Sequence, residues 1–127
     1  MPQTGKIRRV QQLYASREIS CEELTRRYLD SIARDNGTRN AYVTITPDTA
    51  LEAARRVDAK IRAGETLRPL EGITMTLKDN ISTKGIPTTC CSKIIEGYTP
   101  IYDATVWELL QRENAVLLGK TNMDEFA

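Results

Sequence analysis

The 127-residue sequence is one domain long, and its 40% apolar and 28% charged residues exclude a disordered chain or a coiled coil. Eighteen basic residues stand against seventeen acidic ones, a net charge of +1, so no electrostatic footprint for nucleic acid exists. Histidine is absent, which excludes Ser-His-Asp, Cys-His and histidine-ligated metal chemistry within these residues.

Ile7, Val10, Leu13 and Tyr14 share one helical face and predict a first helix from about Lys6 to Ser16. Ser20-Cys21-Glu22-Glu23 has the Ser-x-x-Glu form of a capping box. Behind it Cys21, Leu24, Tyr28 and Ile32 recur at helical spacing, and Asn36-Gly37 is the expected stop. The paired arginines Arg8-Arg9, Arg26-Arg27 and Arg55-Arg56 fall on these predicted helices among carboxylates and read as solvated faces. Ala41 to Thr46 alternates with period two and predicts a strand. Thr46-Pro47 opens a third helix carrying Ala50, Ala54, Val57 and Ile61, with Gly64 closing it.

The character changes near Pro69. Ile73 to Leu77 reads as a strand and Lys78 to Pro100 as a long loop, of a length that is usually functional or disordered. Asp103 is placed to cap a helix bearing Val106, Trp107, Leu109 and Leu110. Ala115 to Leu118 is a short apolar strand of buried type, Gly119-Lys120-Thr121 a turn, and Asn122-Met123-Asp124 the start of a further helix. The expected class is α/β: residues 1–65 mainly helical, and residues 70–127 the opening of an α/β core with a right-handed crossover.

Four features bear on chemistry. Gly119-Lys120-Thr121 after a strand invites a phosphate-loop reading, but Asn114 occupies the place of the required first glycine. Cys90 and Cys91 have no histidine to activate them and read as small buried hydrophobes. Neither Ser82 nor Ser92 lies in a Ser-x-x-Lys pattern or a glycine-flanked elbow. The three cysteines form neither a disulfide framework nor a CxxC pair, which fits a reducing, cytoplasmic setting. No apolar run reaches the ~18–20 residues of a membrane span, and Met1 to Lys6 contains no apolar signal-type segment. Lys78 closes an apolar strand and has two readings. It is a strand-end lysine reaching solvent, with Asp79 as a surface partner, or a lysine carried into a site where desolvation lets it act as a base.

Gly72-Ile73, Leu77-Lys78-Asp79-Asn80-Ile81, Thr83-Lys84-Gly85, Thr88-Thr89 and Ser92 together resemble the N-terminal part of the amidase signature family. Tyr102 to Val106 and the run from Ala115 to Ala127, ending Asp124-Glu125-Phe126-Ala127, resemble one branch of it. That branch comprises the A subunits of glutamyl-tRNA(Gln) and aspartyl-tRNA(Asn) amidotransferases. Thr74 departs from the proline usual in the family.

The resemblance implies a mixed amidase-signature sheet, of which residues 1–127 form the N-terminal part of a single amidase domain. It also implies a glutaminase that belongs to a carbon–nitrogen ligase using glutamine as amido donor. The implied site is a serine, a second serine bridging through a cis peptide, and Lys78 as the catalytic lysine. Both serines are expected in a Gly/Ser-rich stretch beyond residue 127. The implied partners are subunits B and C, with glutamine as the small-molecule substrate and tRNA held mainly by the partner subunit. No cofactor is implied for these residues; ATP and Mg belong to the partner subunit. Two consequences are expected. Strands 73–77 and 115–118 would show unpaired edges. The 127 residues alone would be inactive, because holding any lysine neutral at pH 7 costs ~4–7 kcal/mol against a domain stability of ~5–15 kcal/mol.

Overall fold

The computed structural model describes residues 5–127; Met1–Thr4, part of the segment read for a signal, lie outside the described residues. Three helices come first, interrupted by one strand: α1 (Lys6–Ala15), α2 (Cys21–Arg39), β1 (Tyr42–Ile45) and α3 (Pro47–Arg62). Then follow β2 (Thr74–Lys78), a 3-10 turn at Lys93–Ile95, α4 (Thr105–Arg112) and β3 (Val116–Thr121). The class is α/β with a mixed three-stranded sheet in the order β1-β3-β2. β3 pairs antiparallel with β1 and parallel with β2, so the helical first half and the second half share one sheet.

Half of the predicted capping box forms: Glu23 N–H donates to Ser20 Oγ at 3.0 Å, while the Glu23 carboxylate accepts from Arg27. A second cap comes from 36 residues away: Cys21 and Glu22 N–H both donate to the Asp58 carboxylate of α3, at 2.8 and 2.9 Å. A carboxylate against the positive end of a helix is favourable, and these two bonds pin α2 to α3. Pro47 occupies the first turn of α3 as expected, but the Thr46 hydroxyl does not cap it. It donates instead to the Leu117 carbonyl at 3.0 Å, tying the helix entrance to β3.

Two clusters form the core on opposite faces of the sheet. Tyr14, Cys21, Ala50, Ala54 and Val57 pack on Val116 and Leu118. Trp107 packs on Leu77 and Leu117, with Ile81, Ile86 and Leu110 around them. Each large side chain so buried contributes about 1.5–3 kcal/mol. Tyr14 keeps its hydroxyl paired by donating to the Gly72 carbonyl at 3.0 Å. Gly72 itself has φ +75°, and a Cβ there would stand 3.0 Å from Val57 Cγ1, so both the turn and the packing demand glycine.

Several expectations are corrected. Gly37 does not end α2; the helix runs on to Arg39 because Asn40 takes the left-handed closing conformation and donates to the Asn36 carbonyl. Asp103 does not cap α4. Its carboxylate accepts from Lys84 N–H and Gln111 Nε2, leaving Ala104 at the cap. Gly119-Lys120-Thr121 is no turn but the second half of β3, and Asn122-Met123-Asp124 starts no helix. The strand at 115–118 has no free edge, being the paired centre of the sheet; β2 stands at an edge. The long segment after Lys78 is an ordered meander, held by Gly85 N–H on Pro100 O, Thr88 N–H on Tyr98 O and Ala104 N–H on Ser82 O.

Candidate functional site

Lys78 is the last residue of β2, in register with Thr121 of β3. Its neighbours Leu77 and Asp79 are buried on one face of the strand, and alternation turns Lys78 to the other face, where it is exposed. Among the described residues no wall buries the Lys78 side chain. What they do supply is a fixed backbone. The Asp79 N–H donates to Thr121 O at 3.1 Å, the Ile81 N–H to Lys78 O at 3.0 Å, and the Thr121 hydroxyl to Leu77 O at 3.3 Å.

Asp79 is not the surface partner of Lys78. It is 0% exposed, and so is Lys120, whose ammonium lies 3.7 Å from Asp79 Oδ1. Lys120 Nζ donates to Ile81 O at 2.8 Å and to Thr88 Oγ1 at 2.9 Å, both in the segment that follows Lys78. Asp79 Oδ2 accepts from Thr89 N–H at 3.1 Å and from the Thr89 hydroxyl at 2.6 Å. Burial pushes the Lys120 ammonium below its ordinary pKa, and the Asp79 carboxylate opposes that shift in part.

A strand irregularity aims Lys120 at this partner. Met75 pairs with Leu117 but Thr76 pairs with Gly119, so Leu118 is an extra residue in β3. The insertion flips the alternation, bringing Lys120 into register with Leu77 rather than toward the helices. Gly119 makes the other side of this arrangement possible. A Cβ there would meet Thr44 O at 2.3 Å, so only glycine lets β1 cross so closely. Glycine and lysine in Gly119-Lys120-Thr121 thus have structural reasons that no phosphate requires.

Among the described residues none of the remaining candidates is hydrogen-bonded to the Lys78 side chain. Cys90 and Cys91 are half-buried rather than core residues, and both take left-handed φ, 50° and 51°. The Cys90 N–H donates to Asp79 O and so joins the same hub. Burial pushes the Cys21 thiol up to about 11, so it is inert at neutral pH. The Ser92 hydroxyl donates to Glu125 Oε1 at 2.6 Å. Among the described residues no group of His, Cys, Asp and Glu could hold a metal ion, and no helix is long and apolar enough to cross a membrane. A cleft of about 520 Å³ opens between α1 and the end of α3, lined by Arg8, Gln11, Ile61 and Leu67 among others, and Lys78 does not reach it.

Sequence reasoning missed Lys120. Its signal was present: a single charge inside a mainly apolar strand, with an aspartate just after the end of the neighbouring strand.

The sequence and the fold of this chain both match known proteins. The chain belongs to the amidase family, whose model, described as Amidase, matches residues 23–127. It is 52% identical over 115 residues to the A subunit of the glutamyl-tRNA(Gln) amidotransferase of Acidothermus cellulolyticus, covering 91% of this chain and 23% of that protein. Its counterpart from Chlorobium phaeobacteroides, of the same name, is 53% identical over 112 residues, covering 88% and 23%. Among solved structures, the native peptide amidase of Stenotrophomonas maltophilia superposes with a TM-score of 0.88 at 34% identity, covering 99% of this chain and 26% of that one. The chain therefore spans about a quarter of the length of the relatives it matches.

Proposed function

We propose that these residues form the N-terminal portion of the glutaminase subunit of a tRNA-dependent amidotransferase. In that reading the whole subunit hydrolyses glutamine and supplies ammonia for converting Glu-tRNA(Gln) to Gln-tRNA(Gln). The single observation that carries it is the identity of 52–53% to curated A subunits across most of the chain, against 34% to the peptide amidase. The complex works in the cytoplasm with subunits B and C, and the partner subunit uses ATP and Mg and holds the tRNA.

Lys78 is the base of the site. A neutral amine takes the nucleophile's proton through a bridging hydroxyl, and the same chain of hydrogen bonds returns it to the leaving ammonia. Oriented amide donors stabilise the oxyanion. The rigid end of β2 is what these residues give to that chemistry, since a base must be held to within a fraction of an ångström. The serines and the walls that desolvate Lys78 come from the rest of the subunit.

The test is glutamine hydrolysis by the full-length subunit in its assembled complex. Wild type should release ammonia from glutamine, and Lys78→Ala should abolish the release while the complex still assembles. Hydrolysis of peptide amides in preference to glutamine would instead assign the chain to another amidase.

A further inference from the structure

Three observations converge on the peptide just after Lys78. The extra residue Leu118 turns Lys120 toward the α4 face of the sheet, where an ammonium has no solvent. That ammonium then bonds Ile81 O and Thr88 Oγ1 and faces Asp79, joining two points in the first half of the meander. Asp79 in turn holds the strand end through its backbone and one carboxylate oxygen. Its N–H binds Thr121 O, its carbonyl receives Cys90 N–H, and Oδ2 receives both the N–H and the hydroxyl of Thr89. Among the described residues the other oxygen, Oδ1, has no hydrogen-bond partner and has the Lys120 ammonium 3.7 Å away.

A buried ion pair with imperfect geometry is a poor source of stability, since desolvating both charges offsets their attraction. Well-packed apolar residues of similar volume would serve folding as well. What a buried pair does supply is a single geometry, because an unpaired charge in that site excludes alternatives.

We propose that Lys120 is a positioning residue for amide hydrolysis: its buried ammonium, acting through Asp79 and the Ile81 carbonyl, fixes the backbone on the C-terminal side of Lys78 and so sets where the Lys78 amine stands. This inference rests on the reading of Lys78 as the base. The pair serves orientation rather than net stability, and the lysine of Gly119-Lys120-Thr121 contacts neither substrate nor phosphate.

The experiment uses the full-length subunit in its complex and measures kcat and KM for glutamine, together with the melting temperature, for Lys120→Met, the double variant Asp79→Asn/Lys120→Met, and Lys78→Ala. In Lys120→Met, kcat should fall about 100-fold, the size expected when a reacting group is misplaced by about 1 Å, with KM unchanged. The double variant removes both charges at nearly constant shape. It should recover the melting temperature yet leave kcat low, and it carries the test if the single variant fails to fold. A double variant that regains kcat along with stability overturns the positioning role, as does a folded Lys120→Met enzyme with wild-type kcat. If Lys78→Ala is inactive while the Lys120 variants are normal, only this inference fails. Activity in Lys78→Ala removes the base itself, and the positioning role with it.

Discussion

Two lysines stand one strand apart and one residue out of register, and they live in opposite environments. Lys78 closes β2 beside Thr121 and is exposed; Lys120, beside Leu77 in β3, is 0% exposed. Nothing in side-chain chemistry separates them. The difference is parity: alternation turns Lys78 away from the Leu77 face, and one extra residue in β3 turns Lys120 onto it. A lysine's role in a sheet is thus decided by a register count as much as by its neighbours in sequence. The exposed lysine is open to solvent, while the buried one is bonded to Ile81 O and Thr88 Oγ1.

The sharpest break between them should come from truncating each. On the proposed reading of Lys78 as the base, Lys78→Ala should lower glutamine turnover by the full-length protein in its complex by ~10²–10⁴-fold. Its effect on urea denaturation should stay within about 0.5 kcal/mol, as for other exposed positions. Lys120→Ala should do the reverse to stability. It leaves Asp79 buried without its counter-charge, a loss of about 3–5 kcal/mol in the same denaturation measurement. Equal destabilisation by the two variants would erase the contrast.

A smaller effect is expected at Gly119. A methyl group there collides with the Thr44 carbonyl, and forcing β1 away should cost about 1–3 kcal/mol by thermal melting.

Glu71 offers a buried carboxylate for comparison with Asp79. Burial would raise its pKa, but the Lys60 ammonium at 2.5 Å, the Arg68 amide and the Asn114 side chain together hold it below the usual carboxylate value. A depressed carboxyl contributes stability above its unfolded value of about 4.3, and that stability is lost as pH falls through the folded value. Denaturation midpoints recorded between about pH 5 and pH 3 should therefore fall less steeply in Glu71→Gln than in wild type. The least effect, about 1 kcal/mol, belongs to Ser20→Ala, which removes one of the caps on α2 and leaves the two from Asp58.

The elements were legible where a local rule acts alone. Ser20 caps because its hydroxyl reaches its own helix, Pro47 starts a helix because its ring presets φ, and the alternation of Tyr42 to Ile45 marks a strand. Legibility ended where a distant partner overrode the local rule. Asp103 has the right identity for a cap, but Lys84 and Gln111 take its carboxylate. Gly119 suggests a turn, yet the nearness of β1 is what requires it. For the same reason the exposed lysine could be named from its motif, whereas the buried pair could not. Its partners lie 39 and 32 positions from Lys120 in the chain, and an inserted residue decides its facing.

The order β1-β3-β2 has a consequence for how the molecule is made. β3 emerges from the ribosome after both strands that flank it, and the Thr46 hydroxyl must wait for a carbonyl 71 positions later. At about 5–20 residues per second, β1 spends several seconds of synthesis with no ladder to join. The nascent helices can pair early, but the sheet can only zip shut around its latest strand, making these residues a late-committing, high-contact-order unit.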